Sequence, residues 1–152
     1  MIRIINKQQK IWFPRRYFRH KLREILTIGG YAGWDVGLII TDNINIRKLN
    51  KTYRGIDRAT DVLSFPSTQV SPQNLLYNQV DSAFEPKDLG DIVLSLEYCC
   101  TYSKKHQQNV LDTTIILLIH SFCHLLGHDH DLDQDYIKMR RKEDEILGKL
   151  KP

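Results

Sequence analysis

Short apolar runs alternate along the chain with apolar residues at helical spacing, which predicts a mixture of strands and helices. Met1 to Asn6 reads as a short strand. Beyond Pro14, residues Phe18, Leu22, Ile25 and Leu26 recur at i, i+4, i+7 and i+8, the spacing of one helix face. Arg15, Arg16, Arg19 and Arg23 fill the other face, and Gly29-Gly30 stops the helix. Val36 to Thr41 predicts a buried strand; Asp42 or Asn43 then caps a second helix with Ile46, Leu49 and Tyr53 on one face, until Arg54-Gly55 turns the chain. Asp61 to Phe65, closed by Pro66, and Leu89 to Ser95 predict two further strands. About twenty residues between them lack periodicity, and Pro72, Asn74, Asn78 and Pro86 mark a long loop. Leu96 to Gln108 reads as a helix, and Asp112-Thr113 opens another that is apolar on nearly all sides from Ile115 to Leu126. That helix is expected to run through the core, with Gly127 ending it. From Asp133 to Leu150, Tyr136, Met139, Ile146 and Leu150 give a covering helix, solvated by six acidic and six basic residues between Asp131 and Lys151.

Within 152 residues these elements predict one α+β domain over 1–152. Its expected architecture is a small mixed β-sheet packed with helices around a central buried helix. Hydrophobic residues at 41% and charged residues at 26% are ordinary for globular proteins and exclude disordered, collagen-like and membrane classes. The longest unbroken apolar run, Ile115 to Ile119, falls far short of the ~20 residues of a membrane span. Met1-Ile2-Arg3 does not open a secretory signal, so a cytoplasmic protein with no membrane partner is expected. Cys99, Cys100 and Cys123 form no even-numbered framework and no C-x-x-C pair, which predicts reduced core thiols. The net charge of +4 is unevenly placed: residues 1–30 hold eight Lys or Arg against Glu24 alone. Such an excess suggests an anionic partner such as a nucleic acid, although many solvated helices share it.

Four of the six histidines fall in His120-Ser121-Phe122-Cys123-His124-Leu125-Leu126-Gly127-His128-Asp129-His130. His120 and His124, four apart, project from one helix face about a turn apart, close enough to share a metal ion. Gly127 can reverse the chain and return His128 or His130 over that face as a third ligand. Burying several imidazoles among Ile, Leu and Phe is costly unless something binds their lone pairs, and a divalent cation does so. Three neutral nitrogens without a cysteine leave a tetrahedral ion one open position, the pattern of catalytic zinc; imidazole also suits other divalent transition metals. Histidines at positions 0, 4 and 10 with Gly at 7 reproduce the long zincin signature, except that Ser121 stands where those proteases carry their general-base Glu.

The histidine block resembles the YbeY family of bacterial rRNA maturation factors, whose signature is close to H-G-x-L-H-L-x-G-Y-D-H. Leu49-Asn50-Lys51-Thr52-Tyr53-Arg54-Gly55 with Thr60-Asp61-Val62-Leu63-Ser64-Phe65-Pro66 resembles that family's L-N-x-x-Y-R-x-x-D-x-x-T-D-V-L-S-F-P segment, and Leu89-Gly90-Asp91-Ile92 its L-G-D-I. The resemblance implies a metal held by His120, His124 and His130, for which the open three-nitrogen pattern predicts one Zn²⁺ per chain or another divalent transition metal. It also implies an endoribonuclease acting on single-stranded RNA in 16S rRNA 3′-end maturation and ribosome quality control, with the ribosomal small subunit or its proteins as partners. Ser121 replaces the family's usual Gly and His128 its usual Tyr. His128 is therefore a candidate fourth ligand or proton carrier.

A functional Arg54 is implied by the resemblance and has a physical basis of its own. Phosphodiester cleavage builds charge on the phosphoryl oxygens, to which a guanidinium donates two parallel hydrogen bonds; the alternative is a surface ion pair. Asp129 either accepts an imidazole N–H and fixes the tautomer of a ligand, or caps the final helix. Asp61 and Asp91 read as turn and capping residues, and Arg15, Arg16, Arg19 and Arg23 as candidate RNA contacts. A ribosome-assembly module with a structural metal is the alternative reading, and a metallopeptidase, lacking a carboxylate at 121, stands behind both.

Overall fold

The computed structural model describes residues 1–67, 87–150 and 152. The loop expected around Pro72, Asn74, Asn78 and Pro86 lies outside the described residues. Strands β1 (Ile2–Asn6), β2 (Asp35–Thr41), β3 (Val62–Pro66) and β4 (Asp88–Ser95) form one sheet in the order β1-β2-β4-β3. β1, β2 and β4 run parallel, and β3 joins β4 antiparallel. Helices α1 (Arg15–Ile28), α2 (Asn43–Arg54), α3 (Leu96–Lys105), α4 (Val110–Leu125) and α5 (Asp133–Lys149) complete the α+β domain that the periodicities predict.

Because strand side chains alternate between faces, each inner strand feeds two apolar layers. Leu38 and Ile40 of β2, with Ile92 and Leu94 of β4, meet Phe18, Leu22 and Ile25 of α1 and Leu118, Ile119 and Phe122 of α4. On the opposite face Val93 and Leu63 pack against Ile46 of α2. β3 therefore lies at a sheet edge with α2 on one side and α4 on the other.

α4 is the buried central helix anticipated from its composition, with Leu118, Ile119, Phe122 and Cys123 inaccessible. Ile116 breaks the pattern at 52% exposure. The helix begins at Val110 rather than at Asp112, because the Asn109 side chain accepts from the backbone N–H groups of Leu111 and Asp112. α3 accordingly stops at Lys105 instead of reaching Gln108, and Gln107 takes a left-handed conformation between the two helices. Two aromatic residues expected on buried stripes are open to solvent: Tyr53 at 66% and Tyr136 at 53%. Asp42 caps α2 as expected, accepting from Asn45 N–H at 2.9 Å.

Candidate metal centre and cleft

α4 carries His120 and His124 side by side, with Nε2 to Nε2 3.1 Å and ring centroids 4.6 Å apart. After Leu125 the chain reverses. Gly127, at φ +87°, donates its N–H to His124 O, and His128 N–H reaches Cys123 O. These two bonds are the paired closure of a helix end around a left-handed glycine. The reversal swings His130 over the same face, its ring centroid 5.2 Å from that of His124 and 5.8 Å from that of His120. One ring nitrogen from each of His120, His124 and His130 falls within 4.8 Å of the others. His128 is not in that group, although it lines the same cleft.

The hydrogen bonds fix which nitrogens carry protons. His120 Nδ1 lies 2.6 Å from Glu143 Oε1, and His124 Nδ1 lies 2.9 Å from the His128 carbonyl oxygen. A carboxylate and a carbonyl only accept, so both Nδ1 atoms donate, and in the neutral imidazoles both Nε2 atoms carry lone pairs. Two lone pairs 3.1 Å apart cannot bond to each other; they need a proton or a cation between them. Tetrahedral zinc with ~2.0–2.1 Å bonds sets its nitrogen ligands about 3.3 Å apart. The donor set therefore fits a divalent ion. Burial, then the neighbouring His120, lowers the His124 pKa and favours the neutral imidazole that a metal requires. Burial also pushes the Cys123 thiol up to about 12, which keeps it a core thiol rather than a thiolate ligand.

The histidines open into a cleft of about 940 Å³ bounded by β3, α4, the C-terminal end of α2 and the face of α5 carrying Arg140 and Glu143. Arg54 lines it, exposed, with Nη1 donating to Asn50 Oδ1 at 3.3 Å. Asn50 is itself buried and donates to Arg58 O at 2.9 Å, so its amide plane is fixed from both ends.

The other expected site residues are placed differently. Asp129 accepts no imidazole N–H and does not cap α5; it accepts the backbone N–H of His130 at 2.7 Å, and α5 has no side-chain cap. Ser121 is fully buried with no hydrogen-bond partner for Oγ, turned away from the cleft. Arg15, Arg16, Arg19 and Arg23 do not line the cleft, and none pairs with a carboxylate among the described residues. Asp91 sits within β4 rather than in a turn, 3.7 Å from Arg3. Asp61 accepts the backbone N–H of Val62 at 2.7 Å, a local turn contact.

A profile of the family described as "Endoribonuclease YbeY" matches residues 3–151. The chain belongs to that family. The Endoribonuclease YbeY of Clostridium botulinum strain Eklund 17B is 35% identical over 164 aligned positions that cover 99% of this chain and 98% of its own. That of Clostridioides difficile strain 630 is 43% identical over 129 positions, covering 84% and 79%. The solution structure of TM1509 from Thermotoga maritima shares the fold, with a TM-score of 0.58 over 97% of this chain and 90% of that one at 21% identity.

Within this YbeY-family chain, sequence reasoning missed Glu143 and Arg140. The signal for Glu143 is present in α5. It lies four residues after Met139 and three before Ile146, both buried, so it is an acidic residue on an apolar stripe. Asn50 carries a similar signal, a buried amide next to the predicted core position Leu49.

Proposed function

We propose that this protein is a zinc-dependent endoribonuclease that cleaves single-stranded RNA, with His120, His124 and His130 holding the metal. The observation that carries the reading is the pair of facing Nε2 atoms of His120 and His124, 3.1 Å apart, in a cleft that Arg54 also lines. A bound zinc ion supplies Lewis acidity and acidifies water. The chain's own side chains do the rest. Glu143 and the His128 carbonyl hold the two α4 imidazoles in one tautomer and orientation. Arg54, steadied by Asn50, offers a forked pair of N–H groups to phosphoryl oxygens as charge builds on them. Arg140 adds positive charge across the cleft, 3.9 Å from Glu143. The unpaired arginines of α1 are assigned to RNA that extends beyond the cleft.

The substrate is assigned to the 16S rRNA precursor, in 3′-end maturation and ribosome quality control, with the ribosomal small subunit as partner. No helix among the described residues is long and apolar enough to cross a membrane, and we place the protein in the cytoplasm. Two alternatives have less support. A structural metal in an assembly module would be favoured by a closed four-histidine set, whereas His128 lies outside the three-nitrogen group. A peptidase needs a carboxylate at 121, where the serine hydroxyl is buried.

The test is metal analysis of the purified protein followed by cleavage of single-stranded RNA and of an unfolded protein substrate, with and without chelator. His124→Ala is expected to lose metal and RNA cleavage together. Arg54→Ala is expected to keep its metal and fold and to lose cleavage by about 10²-fold or more, with Arg54→Lys a poor rescue. Full RNA cleavage by Arg54→Ala, or chelator-sensitive proteolysis by the wild type, overturns the reading.

A further inference from the structure

The C-terminal turn of α2 contributes two unlike groups to the lining of the cleft, Arg54 and Tyr53. By periodicity Tyr53 belongs to the apolar stripe that seats α2 on the sheet, yet the ring is 66% exposed. It is not loose. Its centroid lies 5.0 Å from that of Phe65 on β3, with the planes at 73°, an edge-to-face contact that braces one aromatic ring with another. Ile116, at 52% exposure, lines the same cleft from α4, one helical turn before His120 and two before His124. The cleft that holds the three imidazoles thus also presents an exposed aromatic ring, an exposed aliphatic side chain and the Arg54 guanidinium.

We propose that Tyr53, backed by Phe65 in the cleft that Ile116 also lines, is a stacking platform for a nucleobase of the bound RNA, next to the phosphate that Arg54 engages. The inference rests on the RNA reading above and adds a base-binding subsite to it. A nucleotide offers an anionic phosphate and a flat π-face on one flexible backbone, the complement of a guanidinium beside an exposed, braced ring. Stacking needs an unpaired base, because in a duplex both faces are already stacked. Tyr53 would in this way make the cleft select single strands, without reading base identity, since every base has a π-face.

The experiment measures kcat and KM for short single-stranded RNAs with metal-loaded wild type, Tyr53→Ala and Tyr53→Phe, together with metal content and melting temperature. Tyr53→Ala is expected to keep metal and fold and to raise KM by about 5- to 100-fold, the usual cost of losing one base–aromatic stack. Tyr53→Phe, which keeps the ring, is expected to stay within about twofold. The slope of log KM against log salt should not change in either variant, since no charge is removed. In the wild type, an abasic nucleotide scanned along the RNA is expected to reproduce the loss at one position, and to add nothing at that position in Tyr53→Ala. An unchanged KM in Tyr53→Ala, an equal loss in Tyr53→Phe, or an abasic scan without a sensitive position each overturns the platform. The scan on wild-type protein decides the matter even if a variant folds poorly. Wild type that cleaves no single-stranded RNA would instead overturn the endoribonuclease reading itself, and tighter competition by an extended apolar peptide than by RNA would assign the cleft to a peptide.

Discussion

Glu143 shows how one side chain can set the chemistry of another. Its Oε1 accepts a hydrogen bond from His120 Nδ1–H at 2.6 Å, and it is largely buried while doing so, so the bond is little diluted by water. His124 receives the equivalent service from a backbone carbonyl, which no substitution removes. The two ligands therefore differ in what mutation can test. Glu143→Gln keeps size and polarity but replaces a charged acceptor by a neutral amide whose oxygen or nitrogen can face His120. Metal affinity in Glu143→Gln is expected to fall about 10- to 100-fold, and in Glu143→Ala at least as far. Competition titration with a chromogenic chelator measures this directly. Unchanged affinity in both variants would reduce the Glu143 contact to packing between α4 and α5.

At the level of elements, the reversal after α4 is what brings a third imidazole, His130, to the His120–His124 pair. Gly127 sits at φ +87°, a conformation that costs an alanine about 1 kcal/mol or more. Gly127→Ala is expected to lower the melting temperature modestly and to weaken metal binding by a larger factor, because His130 and the His128 carbonyl both hang on this turn. Comparable affinity in Gly127→Ala would show that the turn does not position them. α1 poses a separate question, since its arginines carry charge without partners among the described residues. Replacing Arg15 and Arg16 by Gln is expected to flatten the salt dependence of RNA binding by about 0.7 per lost phosphate contact, and a filter-binding salt series reads that slope. An unaltered slope would make this an ordinary solvated face. Periodicity made the buried sheet strands, α1 and the core helix legible, because each depends on residues close in sequence. The His-x3-His pair was legible for the same reason. Tyr53 was misread because the stripe continues in sequence where its last member packs on the edge-strand Phe65 and stays 66% exposed. The sequence offered only Asp129, beside His130, as an acceptor for a ligand imidazole, whereas Glu143 is 23 residues from His120 and reaches the ring only once α5 packs on α4.

Across the whole molecule, the histidines of the cleft couple folding to pH. His124 and His128 both titrate below the ordinary histidine value, each chiefly through burial, with His120 adding to the first and Lys142 to the second. An unfolded chain binds protons at these residues near pH 6.5. The folded apoprotein takes them up only at lower pH, so in that interval the unfolded state carries more protons. Stability must then fall as pH falls, beginning near pH 7 and levelling off below the folded pKa values. Asp57, Asp129 and Glu145 are held below the usual carboxylate range by hydrogen bonds, so their protonation belongs to a more acidic region, below about pH 4.5. The effect of His124 and His128 therefore falls between about pH 7.5 and 5, above the range of these carboxylates. Metal steepens it. An ion that binds only the folded chain stabilises by mass action, about 2.7 kcal/mol at a hundredfold excess over Kd, and protons compete for the same nitrogens. Calorimetric scans at pH 7.5, 6.5 and 5.5 are expected to show the apoprotein melting lower at each step down, and the zinc-loaded protein starting higher and falling faster until the two curves meet. In His124→Ala the zinc-dependent difference should be absent at every pH. A gap between loaded and apo wild type that stays constant down to pH 5.5 would mean that the ion is not held by imidazole nitrogens.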